Sequence, residues 1–318
     1  MKKIGLLIEI RNGVLKPANL GMITAAHGDE HQLVAMLMEA VPTHIQEQLA
    51  QYGVDQLLTV EMQQSEWNPV CWSRAIVDAV RAHGIQVLIG LTSAQGKDLL
   101  PRVAAILDAP LLMDCIHVDI DAQLARTSQY SGKTMATFQL SGETIIYGLR
   151  PNAVTPIAHP TTPVQIEHSA AIPETDELKI LEVIPGESGG QNLSEAEIII
   201  SGGRGMENGD NFKLLSDCAR AIEGTAVGAS RVAVDSDWVP YVMQVGQTGS
   251  KVNPKVYIAC GISGSIQHLA GMKTSGMIIA INTDPDAAII SHSDYYVIGD
   301  LFEILPALAN QLENYTLV

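Results

Sequence analysis

The chain is poor in cysteine and in long apolar runs. Its 318 residues contain four cysteines, Cys71, Cys115, Cys218 and Cys260, and no two of them form a C-x-x-C pair. This wide spacing disfavours a disulfide framework or a cysteine metal site, so we predict four buried thiols that act as small hydrophobes. No apolar run reaches the roughly 18 residues that a membrane span requires. The sequence therefore predicts no metal site and no membrane insertion.

Positive charge is also scarce. Lys and Arg number 19 against 35 Asp and Glu, which gives a net charge of −16. The excess is spread along the chain, with 12 basic against 21 acidic residues up to Gly189 and 7 against 14 beyond it. Nucleic acids and anionic membrane surfaces attract clustered Lys and Arg. We therefore expect neither a nucleic-acid partner nor a membrane-surface helix.

The N-terminal sequence MKKIGLLIEI has a superficial likeness to a signal peptide. Its apolar stretch breaks at Glu9, and no small-residue cleavage site follows. We expect a first β-strand here and a cytoplasmic protein. The hydrophobic content of 47% is enough for a sizeable core, and the length suggests two domains.

In the first half, strand-like and helix-like segments alternate. Strands are predicted at residues 4–10, 33–37, 56–60 and 86–89, and helices at 44–52, 69–83 and 99–107. This alternation predicts an α/β fold with a doubly wound parallel sheet. Further strands at 116–120, 134–140 and 144–149 predict a small antiparallel addition, with Ser141-Gly142 as a hairpin turn.

Proline and glycine mark the middle of the chain. Residues 151–173 hold five prolines and are predicted to be extended and exposed, and a strand is predicted at 179–183. The segment 185–190 is rich in glycine and is the expected boundary and candidate hinge. We therefore predict an N-terminal domain over residues 1–189 and a C-terminal domain over residues 190–318.

The second half repeats the alternation. Strands are predicted at 196–200, 255–260 and 277–281, and helices at 210–222, 265–272 and 301–311. Small or polar residues follow each of the three strands, in the sequences SGGRG (201–205), GISGS (261–265) and NTD (282–284). Ligands of open parallel sheets bind at the carboxyl ends of the strands, and glycine allows a phosphate to approach the backbone. The loops therefore indicate a dinucleotide-type ligand, with Arg204 at its pyrophosphate.

Alternatives stay open at this point. Neither loop follows G-x-G-x-x-G or the P-loop pattern, and both could be tight turns without a ligand. Arg231 could be a solvated residue, a partner of Asp235, or a cation that faces an electron-rich ring. The polar loop at 244–249 could bind a heterocycle or be an ordinary loop, and His268 could point at a ligand or be a satisfied core histidine.

Several motifs together identify a family resemblance. SGGRG, NFKLL, AVGASRVAVD, QVGQTG, YIACGISGSIQHLAGM, AINTDPDA and VIGDLFEILPAL occur in order between about residues 197 and 308. This stretch resembles the alpha subunit of electron transfer flavoprotein, and the first half resembles it more loosely, up to the ETIIYGLRP segment. Thr283 and Ser236-Asp237 depart from the family pattern at positions that are not expected to contact the cofactor.

The resemblance implies a fold and a set of cofactors. It implies a nucleotide-hydrolase-like N-terminal α/β domain that packs on a homologous beta subunit, and a Rossmann-like C-terminal domain that binds one FAD. The beta subunit would hold AMP, or a second FAD in the electron-bifurcating branch.

The resemblance also assigns FAD contacts to particular residues. Those on the phosphate and adenosine side would be Arg204, Ser263, Gly264, Ser265, Ile266, Gln267, Asn282, Asp300 and Leu301. Those near the isoalloxazine ring would be Arg231, Val245, Gly246, Gln247, Thr248 and His268, and Ser230 would be a further FAD contact. Within this second group Arg231 would lie over the ring, the Thr248 hydroxyl would face N5, and His268 would lie near the N1/O2 edge.

The implied function is that of an electron carrier rather than a stand-alone enzyme. The chain would carry single electrons between flavin dehydrogenases, such as the acyl-CoA dehydrogenases of fatty acid oxidation, and a membrane quinone oxidoreductase or another acceptor. The alternative is the alpha subunit of a bifurcating flavoprotein that links NADH, ferredoxin and an enoyl-CoA reductase. A flavin reductase that acts alone and a nucleotide-sensing protein without redox activity are the rival classes.

Overall fold

The computed structural model describes residues 1–11, 13–61, 67–130, 134–169, 178, 181–182, 192–222 and 224–314. The chain divides into two compact units. Unit 1 comprises Met1–Ser128 and Met135–Gly186, and unit 2 comprises Gln129–Thr134 and Glu187–Val318.

Unit 1 is built mainly from alternating strands and helices. Its strands are β1 (Lys2–Leu7), β2 (Ile10–Arg11), β3 (Val14–Leu15), β4 (His31–Leu37), β5 (Gln56–Glu61), β6 (Val87–Leu91), β7 (Leu111–Asp119), β8 (Leu124–Gln129), β9 (Thr134–Gln139), β10 (Ile145–Leu149) and β11 (Val164–Ser169). Its helices are α1 (Ala18–Ala26), α2 (Thr43–Gln51), α3 (Pro69–His83) and α4 (Ala94–Leu107). The predicted alternation of strands and helices is therefore confirmed.

The large sheet of unit 1 has the strand order β11-β5-β4-β1-β6-β10-β7-β8-β9. Every neighbouring pair from β11 to β7 is parallel, and β8 is antiparallel to β7. Helices α1 and α2 pack on one face through residues such as Ile23 and Leu49. Helices α3 and α4 pack on the other through residues such as Ile76 and Val103. The sheet is thus covered on both faces, as a doubly wound fold requires.

Helix α3 illustrates how local sequence sets an element. The Asn68 side chain accepts hydrogen bonds from the backbone N–H groups of Val70 and Cys71, and Pro69 occupies the first turn. Gly84 ends the helix with a left-handed φ of 64°. These signals are local, and the predicted bounds of this helix are confirmed.

One prediction for unit 1 is wrong and another is incomplete. Ser141-Gly142 does not turn a hairpin, because β10 lies between β6 and β7 and is parallel to both. All five residues of β10 are buried, as expected for a central parallel strand, whereas β9 is an exposed edge strand. The segment 151–173 is extended and mostly exposed over its described residues from 155 to 168, as predicted, but the prediction misses β11, which pairs with β5. The predicted strand at 179–183 and the predicted boundary at 185–190 fall mostly outside the described residues.

Unit 2 contains a five-stranded, fully parallel sheet. Its elements are β12 (Ile198–Gly202), α5 (Phe212–Arg220), β13 (Thr225–Ala229), α6 (Arg231–Asp235), β14 (Val256–Cys260), α7 (Ile266–Met272), β15 (Met277–Asn282), β16 (Tyr295–Ile298) and α8 (Leu301–Asn314). The strand order is β13-β12-β14-β15-β16. Helices α5 and α8 share one core with the sheet and α7 shares the other. The predicted second doubly wound unit is confirmed, although β13, α6 and β16 were not predicted.

The cysteine prediction is confirmed as well. All four cysteines lie within the described residues, where each is a buried thiol outside any disulfide. Burial raises the pKa of the Cys115 thiol to about 12, so this group is neutral at ordinary pH. Among the described helices, none combines the length and the apolar character needed to cross a lipid bilayer.

Candidate functional site

A cleft of about 450 Å³ lies at the carboxyl edge of the sheet in unit 2. That size falls within the roughly 300–1,000 Å³ of small-molecule sites. The loops after all five strands line it: residues 204–205 and 207 after β12, 230–232 after β13, 261–263 after β14, 282–284 and 287 after β15, and 299–302 after β16. Successive strands are added on opposite sides of β12, so the winding reverses between β12 and β14. Such a switch point is where doubly wound sheets bind ligands.

The floor of the cleft is formed by two glycine loops in backbone contact. The N–H of Gly203 donates to the carbonyl of Cys260 at 2.9 Å, and that of Gly205 donates to the carbonyl of Gly261 at 3.0 Å. A Cβ atom at Gly203 would lie 2.3 Å from the Gly261 oxygen, and Gly261 has a φ of +60°. Only glycine fits this crossing, which leaves bare backbone facing the cleft.

Two guanidinium groups and three carboxyl groups line the cleft. The cations are Arg204 and Arg231, and the carboxyl groups belong to Glu207, Asp284 and Asp300. Asp284 accepts a backbone hydrogen bond from Asp286 N, and Asp300 accepts one from Phe302 N. The carboxylates after β15 and β16 are therefore engaged in local turns, while Arg204, Glu207 and Arg231 lie after β12 and β13.

Residues at the end of β13 combine an ion pair with an unsatisfied hydroxyl. The Arg231 Nε atom lies 3.1 Å from Asp235 Oδ2, and both side chains are largely exposed. Arg231 is thus a solvated ion-pair partner that also lines the cleft. The neighbouring Ser230 Oγ is shielded from solvent and has no hydrogen-bond partner within the described residues. A buried polar atom without a partner is costly, so this hydroxyl is a candidate ligand contact.

The loop at residues 244–250 packs between β13 and α7. Val245 N donates to Ala229 O at 2.9 Å, and Gln247 N donates to Gln267 O at 2.8 Å. The buried Gln244 side chain donates to the Thr248 hydroxyl oxygen at 2.9 Å. These bonds bring the loop that contains Thr248 against both the strand that precedes Arg231 and the first turn of α7.

His268 lies inside the unit rather than on the cleft wall. Its side chain is 95% buried, and its Nε2 atom is 2.9 Å from the hydroxyl of Tyr257 in β14. Burial lowers the pKa of His268 to about 4, and a contact with the Val245 backbone opposes only part of this effect. The imidazole is therefore neutral at pH 7.

The structure places the sixteen predicted contact residues in two groups. Seven line the cleft: Arg204, Ser230, Arg231, Ser263, Asn282, Asp300 and Leu301. The other nine form the loop at 245–248 and the turn and helix start at 264–268, which contact each other. Their contact with a cofactor stays a prediction. Sequence reasoning missed Tyr257, since a tyrosine within an apolar strand carries no local signal of a buried polar partner.

These residues fit a phosphorylated ligand with a large ring system. Gly205 and Gly261 line the cleft with backbone, Arg204 supplies a cation, and the Ser230 hydroxyl lacks a partner among the described residues. Gly264 has a φ of +82°, and a Cβ atom there would lie 2.3 Å from Ile289 N. The turn that precedes α7 is thus held tightly against the β15–β16 loop. Among the described residues, no cluster of three or more His, Cys, Asp or Glu side chains is suited to a metal ion.

Comparison with known proteins gives a direct match. A model of the electron transfer flavoprotein domain matches residues 4–180, and a model of the electron transfer flavoprotein FAD-binding domain matches residues 192–273. The electron transfer flavoprotein subunit alpha of Bacillus subtilis is 37% identical over 98% of both chains. The chain belongs to the electron transfer flavoprotein alpha-subunit family. Its function is therefore electron transfer, and it carries an FAD-binding domain.

Other relatives agree over nearly the whole length. The electron transfer flavoprotein subunit alpha of Pseudomonas aeruginosa is 35% identical, with 95% of this chain and 97% of that protein covered. Protein FixB of Clostridium saccharobutylicum is 34% identical, with 98% and 96% covered. The FAD-binding domain model spans β12 to α7 and so includes three of the five strand ends that line the cleft. Electron transfer flavoprotein alpha subunits pair with beta subunits.

Proposed function

We propose that this electron transfer flavoprotein alpha chain binds one FAD in the cleft of unit 2 and relays single electrons from a flavin dehydrogenase to an acceptor. The convergence of five strand-end loops on one cleft carries the proposal. Three of those loops lie within the region that matches the FAD-binding domain. FAD supplies the redox chemistry, and the chain supplies binding, orientation and electrostatics.

Different residues of the site would bind different parts of FAD. Arg204, beside the bare backbone of the β12 and β14 loops, would hold the pyrophosphate, with Asn282, Asp300 and Leu301 toward the adenosine end. Arg231 and Thr248 would flank the ring. A fixed cation stabilises negative charge that a ring gains on reduction, and Asp235 at 3.1 Å moderates the charge that Arg231 offers.

His268 would act in its neutral form. Since its pKa is lowered to about 4, it contributes a hydrogen bond near the ring rather than a second positive charge. In this proposal Arg231 is the cation near the ring.

The proposed partners follow from the family. A beta subunit would complete a heterodimer and hold AMP, and acyl-CoA dehydrogenases or other flavin dehydrogenases and a membrane quinone oxidoreductase would dock transiently. In the bifurcating alternative, the beta subunit would hold a second FAD and the pair would link NADH, ferredoxin and an enoyl-CoA reductase. The two proposals differ in the nucleotide of the beta subunit.

A count of bound nucleotides tests the proposal. The chain is co-expressed and purified with its beta subunit, and the nucleotides released on denaturation are quantified. We expect a yellow heterodimer with one FAD and one AMP. Two FAD molecules would favour the bifurcating alternative, and a colourless pair that takes up no added FAD would overturn the assignment of the cleft.

An arginine variant locates the cofactor within the heterodimer. Arg204→Ala is expected to weaken FAD binding about tenfold, because a charge-assisted contact of roughly 1.4 kcal/mol is lost. The matched control is Lys213→Ala, which removes an exposed cation on α5 that pairs with Asp217 and lies outside the cleft. Equal FAD dissociation constants for the two variants would contradict the phosphate-side role of Arg204.

A further inference from the structure

Three buried polar side chains of unit 2 lie close together on β12, β14 and α7. Ser201 at the end of β12 and Tyr257 in β14 are fully buried, and His268 in α7 is 95% buried. The Tyr257 hydroxyl lies 2.9 Å from His268 Nε2. Ser201 Oγ makes no hydrogen bond of standard geometry within the described residues, but it lies near enough to Tyr257 to lower the pKa of the phenol.

The chemistry of the pair fixes the direction of the hydrogen bond. Burial raises the pKa of the Tyr257 phenol and keeps the imidazole of His268 neutral, so neither group is charged. A phenol O–H is a stronger donor than a neutral imidazole N–H, and an imidazole nitrogen is a stronger acceptor than a phenol oxygen. Tyr257 therefore donates and His268 Nε2 accepts.

A neutral imidazole that accepts at one nitrogen carries its proton at the other. The proton of His268 then lies on Nδ1, which is buried and forms no hydrogen bond of standard geometry among the described residues. This nitrogen lies near the backbone of Val245, at the start of the loop that contains Thr248. This N–H group, which contacts the Val245 backbone, is thus held beside the loop assigned to the flavin ring.

We propose that Tyr257 is a positioning residue that locks His268 in the Nδ1–H tautomer, so that the imidazole offers a fixed N–H donor to an acceptor atom on the bound flavin ring. The inference rests on the proposed FAD site for its effect on the flavin. The tautomer itself depends only on the buried Tyr257–His268 pair. A donor held toward the ring favours the reduced cofactor, which is richer in electrons.

The test uses the heterodimer with ¹⁵N-labelled histidine and Tyr257→Phe, which keeps the ring in the core and removes the hydroxyl. Loss of the signal in His268→Asn assigns the resonance. The wild type is expected to show the shifts of the Nδ1–H tautomer, and Tyr257→Phe is expected to show a mixture or the Nε2–H form. In the loaded protein, the preference for reduced over oxidised FAD should fall several-fold, which is measured as a lower midpoint potential.

Tyr147→Phe is the matched control. Tyr147 is fully buried in β10 of unit 1, and its hydroxyl has no hydrogen-bond partner among the described residues. Its loss should move neither the His268 resonance nor the potential. An Nε2–H wild type, or an unchanged tautomer in Tyr257→Phe, would overturn the positioning role. A changed tautomer with an unchanged potential would overturn the link to the flavin, and a wild type that binds no FAD would overturn the proposed function alone.

Discussion

The carboxyl edges of the two parallel sheets differ in how their polar groups are satisfied. In unit 1, Glu9 follows β1 and is 1% exposed, yet its carboxylate pairs with Lys16 at 2.8 Å and accepts the Ser93 hydroxyl at 2.5 Å. The buried Arg150 after β10 binds Asp114 through two bonds of 2.8 Å. At the edge of unit 1, the buried charged side chains are therefore paired with other side chains of the same unit, and we call this a closed edge.

The corresponding edge in unit 2 has charged side chains around its cleft, but its buried polar groups are neutral. Ser201, Ser230 and His268 each bury a polar atom that forms no hydrogen bond of standard geometry among the described residues. Both units are doubly wound parallel sheets, and each has a switch point, between β1 and β6 in unit 1 and between β12 and β14 in unit 2. The same architecture thus supports a closed edge in unit 1 and, in unit 2, an open edge whose buried polar groups are left for a ligand. Function therefore follows from side chains rather than from the fold.

The largest expected effect on stability comes from a substitution in the closed edge of unit 1. Glu9→Ala should lower the free energy of unfolding by about 3–5 kcal/mol, because it removes one partner of a buried ion pair and leaves the other in place. The control is Glu197→Ala, which removes a half-exposed carboxylate that pairs with Lys255 at the same 2.8 Å. That change should cost about 0–1 kcal/mol.

Urea unfolding of the full chain measures both variants. The fluorescence of Trp67 and Trp72, which pack against the core of unit 1, reports on that unit, and Trp238 reports on unit 2. Similar losses for the two glutamates would mean that the carboxylate of Glu9 is not an essential part of the edge.

The sequence predicts elements whose signals are local. The cap, the first proline and the final glycine of helix α3 all lie within residues 68–84. The predicted bounds of β4 and β5 are also close to those of the structure, since each strand contains a short apolar stretch, Leu33–Leu37 in β4 and Leu57–Leu58 in β5. The order of strands is a property of pairing over long distances, which explains why the local pattern predicts a hairpin at β10 and misses the pairing of β11 with β5.

The same distinction applies to the site. The glycine loops after β12 and β14 can be predicted from the sequence, because the close approach of their backbones allows only glycine at these positions. The Tyr257–His268 pair joins residues whose burial arises only when α7 packs on the sheet. Glu9 appeared in the sequence merely as the end of a strand, and only its partners Lys16 and Ser93 make it the centre of a network.

A pH titration sharpens the contrast between ionised and neutral interiors. The pKa of His268 is lowered from 6.5 to about 4 in the folded chain. Between these values the unfolded chain binds a proton that the folded chain does not, so stability falls as the pH drops from above 6.5 toward 4. The difference amounts to about 3 kcal/mol.

Comparison with two histidine variants isolates this contribution. His268→Asn should flatten the pH dependence of the free energy of unfolding between pH 4 and 6.5 by that amount, although the variant also loses the bond to Tyr257. His292→Asn, an exposed change in the same unit, should keep the wild-type slope. If His268→Asn kept the wild-type pH dependence, the folded chain would protonate His268 as readily as the unfolded chain does, and its pKa would not be lowered by burial.

The smallest expected effects come from the same substitution made at both edges. Ser93→Ala removes a hydroxyl that accepts from Gly96 N at 3.0 Å, caps α4 and donates to Glu9, so it should cost about 1–2 kcal/mol of stability. Ser230→Ala removes a hydroxyl that forms no such bond within the described residues, so the flavin-free chain should change by less than about 0.5 kcal/mol.

For FAD binding, the expected effects of the two serine substitutions are the reverse of those for stability. If Ser230 Oγ finds its partner on FAD, Ser230→Ala should weaken FAD binding by about 1 kcal/mol, roughly fivefold, in titrations of flavin-stripped heterodimer. Ser93→Ala should leave that dissociation constant unchanged, because its hydroxyl is already satisfied within unit 1. A stability loss in flavin-free Ser230→Ala as large as that of Ser93→Ala would mean that both hydroxyls serve the fold, and the distinction between a closed and an open edge would fail.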